Sequence, residues 1–130
     1  MTEGGSERRK YARFRAAADV EIRIEAAPNV PGLLGHIYHC STSDISLRGV
    51  CLVIEESIPV GSELVLLIKL RQLANRFRHT GKVVWCRPTG DRTAEGAEIC
   101  LAGIEFNMST DPRFAEWRVE LLKLYEDRPP

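Results

Sequence analysis

Asp44-Ile45-Ser46-Leu47-Arg48-Gly49-Val50-Cys51-Leu52-Val53-Ile54 joins an Asp-x-Ser-x-x-Gly segment to five consecutive apolar residues. An apolar run that short, following turn chemistry, reads as a strand covered on both faces, because five residues make too short a helix to hold in isolation. Residues 50–54 therefore belong in the middle of a sheet. The hexapeptide before them, with a carboxylate, a hydroxyl and a residue lacking a Cβ, reads as the turn that reverses the chain.

Working outward, a strand over Gly35 to Cys40 runs toward that turn. Further upstream, Val20, Ile22 and Ile24 alternate with Glu21, Arg23 and Glu25, the period-two pattern of a half-buried strand. Ala26-Ala27-Pro28-Asn29-Val30-Pro31-Gly32 ends it. Downstream, Ser57-Ile58-Pro59-Val60-Gly61 makes the next turn, and Glu63 to Leu70 reads as another buried strand. Phe77 to Cys86 and Ile99 to Phe106 bring the count to about six, separated by a polar hairpin loop over 87–96.

The C-terminus changes period. Asp111 is placed to cap a helix with Pro112 at its first position, and Phe114, Trp117, Leu121 and Leu124 recur at three- and four-residue steps. Leu122 and Tyr125 widen the stripe, while Glu116, Glu120 and Lys123 form the wet face. Several short strands and one terminal helix fit a mainly-β, antiparallel barrel closed by a helix.

At 130 residues the chain is expected to form one domain. We divide it into a flexible leader (1–7) and a domain over 8–130, comprising a basic arm (8–15), a barrel (16–108) and a helix (111–127). No apolar run approaches the roughly 20 residues that span a bilayer, and the polar start lacks the apolar core of a secretory signal. A cytoplasmic protein without a membrane span is the expectation. Cys40, Cys51, Cys86 and Cys100 show no C-x-x-C pairing, and His36 and His39 would face opposite ways on a strand, so no metal is expected.

Net charge is zero, which argues against a general nucleic-acid binder. The charge is unevenly placed, however. Residues 1–15 carry Arg8, Arg9, Lys10, Arg13 and Arg15 against Glu3 and Glu7, and 14 of the 18 basic residues are arginine. The planar guanidinium forks onto phosphate oxygens or the O6/N7 edge of guanine in a way that lysine does not. Arg9 and Arg13 alone read as a solvated basic tail, and Asp44-x-Ser46-x-x-Gly49 alone as turn chemistry; together they suit an anionic nucleotide.

Their order and spacing resemble the PilZ family, whose signature is Arg-x-x-x-Arg followed some tens of residues later by Asp/Asn-x-Ser-x-x-Gly. Gly81-Lys82-Val83-Val84-Trp85 and Ala102-Gly103-Ile104-Glu105-Phe106 look like two later strands of the same family. The resemblance implies a six-stranded antiparallel Greek-key barrel that binds cyclic di-GMP and passes the signal to a protein partner in motility or biofilm regulation, without catalysis and without a cofactor. It implies that Arg9 and Arg13 fork onto phosphate and guanine, and that Arg8, just before the motif, is compatible with two stacked ligand molecules per chain.

Asp44 matches the acidic position, where a carboxylate accepts from guanine N1–H and N2–H₂; its local alternative is an Asx turn or cap. Ser46 would donate to phosphate or touch a base, and Gly49 would admit the ligand or take positive φ. Trp85 is either a stacking platform for guanine or a rim tryptophan. The arm is expected to order on binding, with ligand contacts offsetting about 1–2 kcal/mol of backbone entropy per residue. A PilZ-like scaffold for pilus or motility proteins that binds no nucleotide is the alternative. A single-stranded nucleic-acid module is disfavoured by zero net charge, and an enzyme by the lack of a nucleophile–base pair.

Overall fold

The computed structural model describes residues 13–14, 18–70, 76–107 and 114–126, with the side chains of 13, 14 and 124–126 outside that description. Seven strands, β1 (Arg13–Phe14), β2 (Ala18–Ala26), β3 (Ile37–Ser46), β4 (Gly49–Ile54), β5 (Glu63–Leu70), β6 (Arg76–Arg92) and β7 (Glu98–Phe106), precede helix α1 (Phe114–Glu126). A single 3-10 turn, Pro31–Leu33, lies between β2 and β3.

Every pairing is antiparallel, in the order β1-β3-β2-β5-β6-β7-β4, and a further β3–β4 pairing closes β2 to β7 into a six-stranded barrel. β5, β6 and β7 form a meander, and β4 returns beside β7, which is a Greek key. β1 lies against the end of β3 on the side that β2 occupies further along.

The period-two reading of β2 holds residue by residue: Ala18, Val20, Ile22 and Ile24 are buried and Asp19, Arg23 and Glu25 exposed. β5 sends Leu64, Leu66, Ile68 and Leu70 to the same interior, where they meet Val50, Leu52 and Ile54 of β4. Burying a side chain of this size stabilises by about 1.5–3 kcal/mol, so these rows account for much of the barrel's cohesion. Trp117 and Leu121 of α1 are buried in the same core, with Phe114 packed against it.

Three elements depart from expectation. β3 runs on to Ser46 instead of stopping at Cys40, so Asp44 and Ser46 stand on a strand and only Leu47 and Arg48 turn. A bulge between Thr42 and Asp44 puts both Thr42 and Ile45 among the buried residues, three apart, which erases the two-residue alternation a strand normally shows. β6 continues to Arg92, so the loop shrinks to residues 93–97. Pro88 is tolerated because β5 pairs with β6 only as far as Lys82, which leaves the far edge of this segment without a strand to receive its missing N–H. On α1, Leu122 is half exposed and does not join the packed stripe. Asp111 and Pro112 lie outside the described residues.

Candidate functional site

The Asp44–Gly49 segment is built as a two-residue hairpin in which Ser46 pairs with Gly49. Neither Leu47 nor Arg48 has positive φ, so the tight primed turns that suit such hairpins are not used. Other contacts hold the tip. The Ser46 hydroxyl donates to the Gly49 carbonyl at 3.1 Å. The Phe106 amide donates to the Arg48 carbonyl at 2.8 Å, and the Trp117 indole N–H donates to the Leu47 carbonyl at 3.3 Å. The hairpin is thereby fastened to β7 and to α1.

Gly49 has an explanation different from the one its motif suggested. Its φ is not positive. A Cβ built there would collide with the backbone carbonyl oxygen of Ile104 across the β4–β7 ladder. The glycine serves strand-to-strand approach, and no ligand is needed to account for it.

On β3, Ile45 is fully buried, while Asp44 and Ser46 on either side of it are half-buried. Strand alternation sends those two to the outer face. β1 is registered against this segment, with Arg13 opposite Ser46 and Phe14 opposite Ile45. The second arginine of Arg-x-x-x-Arg is thus the backbone partner of the serine of Asp-x-Ser-x-x-Gly. Arg8 and Arg9 lie outside the described residues.

Trp85 is half-buried and rests on Gly103, its partner across β6 and β7; a Cβ on Gly103 would strike the indole. The guanidinium of Arg87 lies 5.1 Å from the centre of the indole ring, within cation–π range. Cross-strand partners run from Asp44 to Cys51, Cys51 to Gly103 and Gly103 to Trp85. The carboxylate and the indole therefore occupy one row across four strands, roughly 14 Å apart at about 4.8 Å per step.

Arg87 was missed in the sequence although it lies two residues beyond Trp85 on a strand, the spacing that returns to the same face. The Trp117 tether was missed too. Its signal was available, since a buried indole N–H ordinarily finds an acceptor.

The histidines point apart. His39 Nδ1 is 4.0 Å from Glu21 Oε1, whereas the His36 ring tilts against Tyr38 at 6.1 Å. A concavity of about 570 Å³ on the barrel, lined by Asp19, Glu21, His39, Ser41, Lys69 and Arg76 among others, includes none of the signature residues. Burial pushes the Cys40 thiol in its wall up to about 12.

Fold and hairpin together define a small Greek-key barrel with Arg13 of β1 registered on the end of β3 that carries Asp44 and Ser46. The PilZ domain family model matches residues 7–122, and the chain belongs to that family. Among solved structures it is similar to the PilZ domain of YcgR from Escherichia coli with c-di-GMP, at 14% identity and a TM-score of 0.64, covering 92% of this chain and 93% of that one. It is also similar to MrkH, a c-di-GMP-dependent transcription regulatory factor, at 18% identity, a TM-score of 0.67 and coverage of 93% of this chain and 52% of that one. The Bacillus subtilis inhibitor of motility MotI matches at 18% identity and a TM-score of 0.59, over 93% of this chain and 54% of that one. The chain thus spans about half the length of these last two. No curated protein matches it significantly. Among the described residues, no helix is long and apolar enough to cross a membrane.

Proposed function

We propose that the protein is a cyclic di-GMP receptor of the PilZ family, working without catalysis or cofactor in the cytoplasm and reporting ligand to a protein partner. The observation that supports this reading is the register of β1 on β3, which makes Arg13, the second arginine of the motif, the backbone partner of Ser46, two residues from Asp44. Arg8, Arg9 and Arg13 supply forked donors to the phosphates and to guanine O6/N7. Asp44 accepts from guanine N1–H and N2–H₂, which adenine does not offer together. Ser46 contributes its oxygen while its proton is given to Gly49 O.

Trp85, stiffened by Gly103 beneath it and by the nearby Arg87, offers a face for a second guanine or a second stacked ligand, and such stacking contributes about 1–3 kcal/mol. Ligand bridging arm and barrel orders the arm, and the hairpin passes the change to α1 through the bond from Trp117 to Leu47 O.

The alternative, a scaffold for motility or pilus proteins that binds no nucleotide, gains some ground from the structural duties of Ser46 and Gly49. Isothermal calorimetry with cyclic di-GMP separates the two. The receptor gives saturable heat at one or two ligands per chain, and Arg13→Ala and Asp44→Ala each abolish it with circular dichroism unchanged. No heat and no thermal shift at about 100 μM ligand leaves the scaffold reading standing, because linkage would stabilise even a weakly binding fold.

A further inference from the structure

Four cysteines are free, and two of them are neighbours on adjacent strands. Cys86 of β6 stands opposite Ala102 of β7, and Cys100 stands opposite Pro88, one diagonal step away. Antiparallel alternation puts both side chains on the same face of the sheet. Cys100 is fully buried, whereas Cys86 is half-buried with its sulfur 3.9 Å from the Ser57 hydroxyl. An oxidant from solvent therefore meets Cys86 first, with Cys100 directly behind it.

We propose that Cys86 and Cys100 are a modification site, a dithiol that hydroperoxides convert reversibly to an intrachain disulfide beside Trp85. The Cys86 thiolate attacks the terminal peroxide oxygen, the O–O bond breaks, and sulfenic acid forms with loss of hydroxide from hydrogen peroxide or alkoxide from an organic hydroperoxide, which becomes water or the alcohol on taking the thiol's proton. The Cys100 sulfur then displaces the sulfenic oxygen, which leaves as water with the Cys100 thiol proton, forming the S–S bond. Two thiols are oxidised and one hydroperoxide is reduced.

The buried partner suits the second role. Burial and its neighbours push the Cys100 thiol above its ordinary range, which keeps it protonated and unreactive until a sulfenic acid stands next to it. Diagonal neighbours on antiparallel strands lie about 7–8 Å apart at Cα, slightly beyond the usual disulfide range, so the bond requires a local shift of the β6 and β7 backbones along the ladder and is easily reduced. Trp85 precedes Cys86, and Gly103 beneath the indole lies three residues after Cys100, so the cross-link acts on that platform. Any effect on ligand affinity rests on the receptor reading above; the thiol chemistry is measured without ligand, so either can fail alone.

The test is peroxide treatment of the whole protein followed by thiol counting under denaturing conditions and peptide mapping. Expected are a fall from four free thiols to two, a linked peptide joining Cys86 and Cys100, recovery with glutathione, and a change in indole fluorescence that Trp85→Phe removes. Cys86→Ser blocks the cross-link while keeping the fold, and the wild-type map answers the question even where Cys100→Ser fails to fold. Retention of four thiols, a cross-link through Cys40 or Cys51, or over-oxidation of Cys86 without a bond to Cys100 overturns the proposal.

Discussion

At Gly49 and Gly103 a single hydrogen in place of a side chain decides what can pack. Replacing Gly49 by alanine drives a methyl into the Ile104 carbonyl, and because the obstacle is backbone within a paired ladder it cannot turn aside. Overpacking of this kind costs about 1–3 kcal/mol. Gly49→Ala should lower the urea midpoint accordingly, and a variant as stable as wild type would refute the role given to Gly49. Gly103→Ala meets a side chain instead, so Trp85 is the part that moves. Its expected signature is a small loss of stability with a clear change in indole fluorescence and in the Arg87 contact.

At the scale of elements, α1 is joined to the hairpin by one hydrogen bond set in an aromatic cluster. Trp117 packs edge-on against Phe77 at 5.2 Å, His79 at 4.7 Å and Phe106 at 5.9 Å, and the His79 ring stacks on Phe106 at 4.1 Å. Trp117→Phe keeps an aromatic ring there but orphans the Leu47 carbonyl. Loss of the bond and the smaller ring should together cost about 1–3 kcal/mol in chemical denaturation. The Leu47 and Arg48 amides should exchange faster with solvent, and unchanged exchange would show that the tether does not hold the hairpin.

Elements are legible in the sequence wherever one face is apolar and the other polar, as in β2, or where a run is apolar throughout, as in β4. The sequence shortens β3 because its bulge places Thr42 and Ile45 inward with polar residues between them. It shortens β6 because Pro88 and Gly90 signal a break that an edge strand can accommodate. In the site, Asp44, Ser46 and Trp85 are legible as residue types in a spacing. The row from Asp44 to Trp85 is not, because it arises from registers between strands far apart in the chain.

For the whole molecule, two protons held more tightly in the fold than in the unfolded chain shape stability at high pH. The Cys40 thiol is pushed by burial from 9.0 to about 12, and the Tyr38 hydroxyl is raised by burial and by its bond to Glu56. Below pH 9 both groups are protonated in folded and unfolded chains alike. Above it the unfolded chain releases protons that the fold retains, so stability falls as pH rises from about 9 toward 12. Cys40→Ser should make the decline of the urea midpoint shallower across that window, and identical slopes would remove Cys40 as a cause.

Under the receptor function proposed above, ligand should act on the same global equilibrium in the opposite direction: at 100 times its dissociation constant, cyclic di-GMP should add about 2.7 kcal/mol, seen as a rise in melting temperature that Asp44→Ala abolishes.

The close approach of β4 to β7 bears on how such chains are sorted by their motifs. A glycine that the barrel needs for its own ladder would be kept by family members that had given up the nucleotide, and so would a serine that closes its own hairpin. Finding Ser46 and Gly49 intact therefore has little diagnostic weight in a survey of genomes. Arginine at positions 9 and 13 carries more, because forked cationic donors answer to an anion, and a strand ladder asks for nothing of the kind.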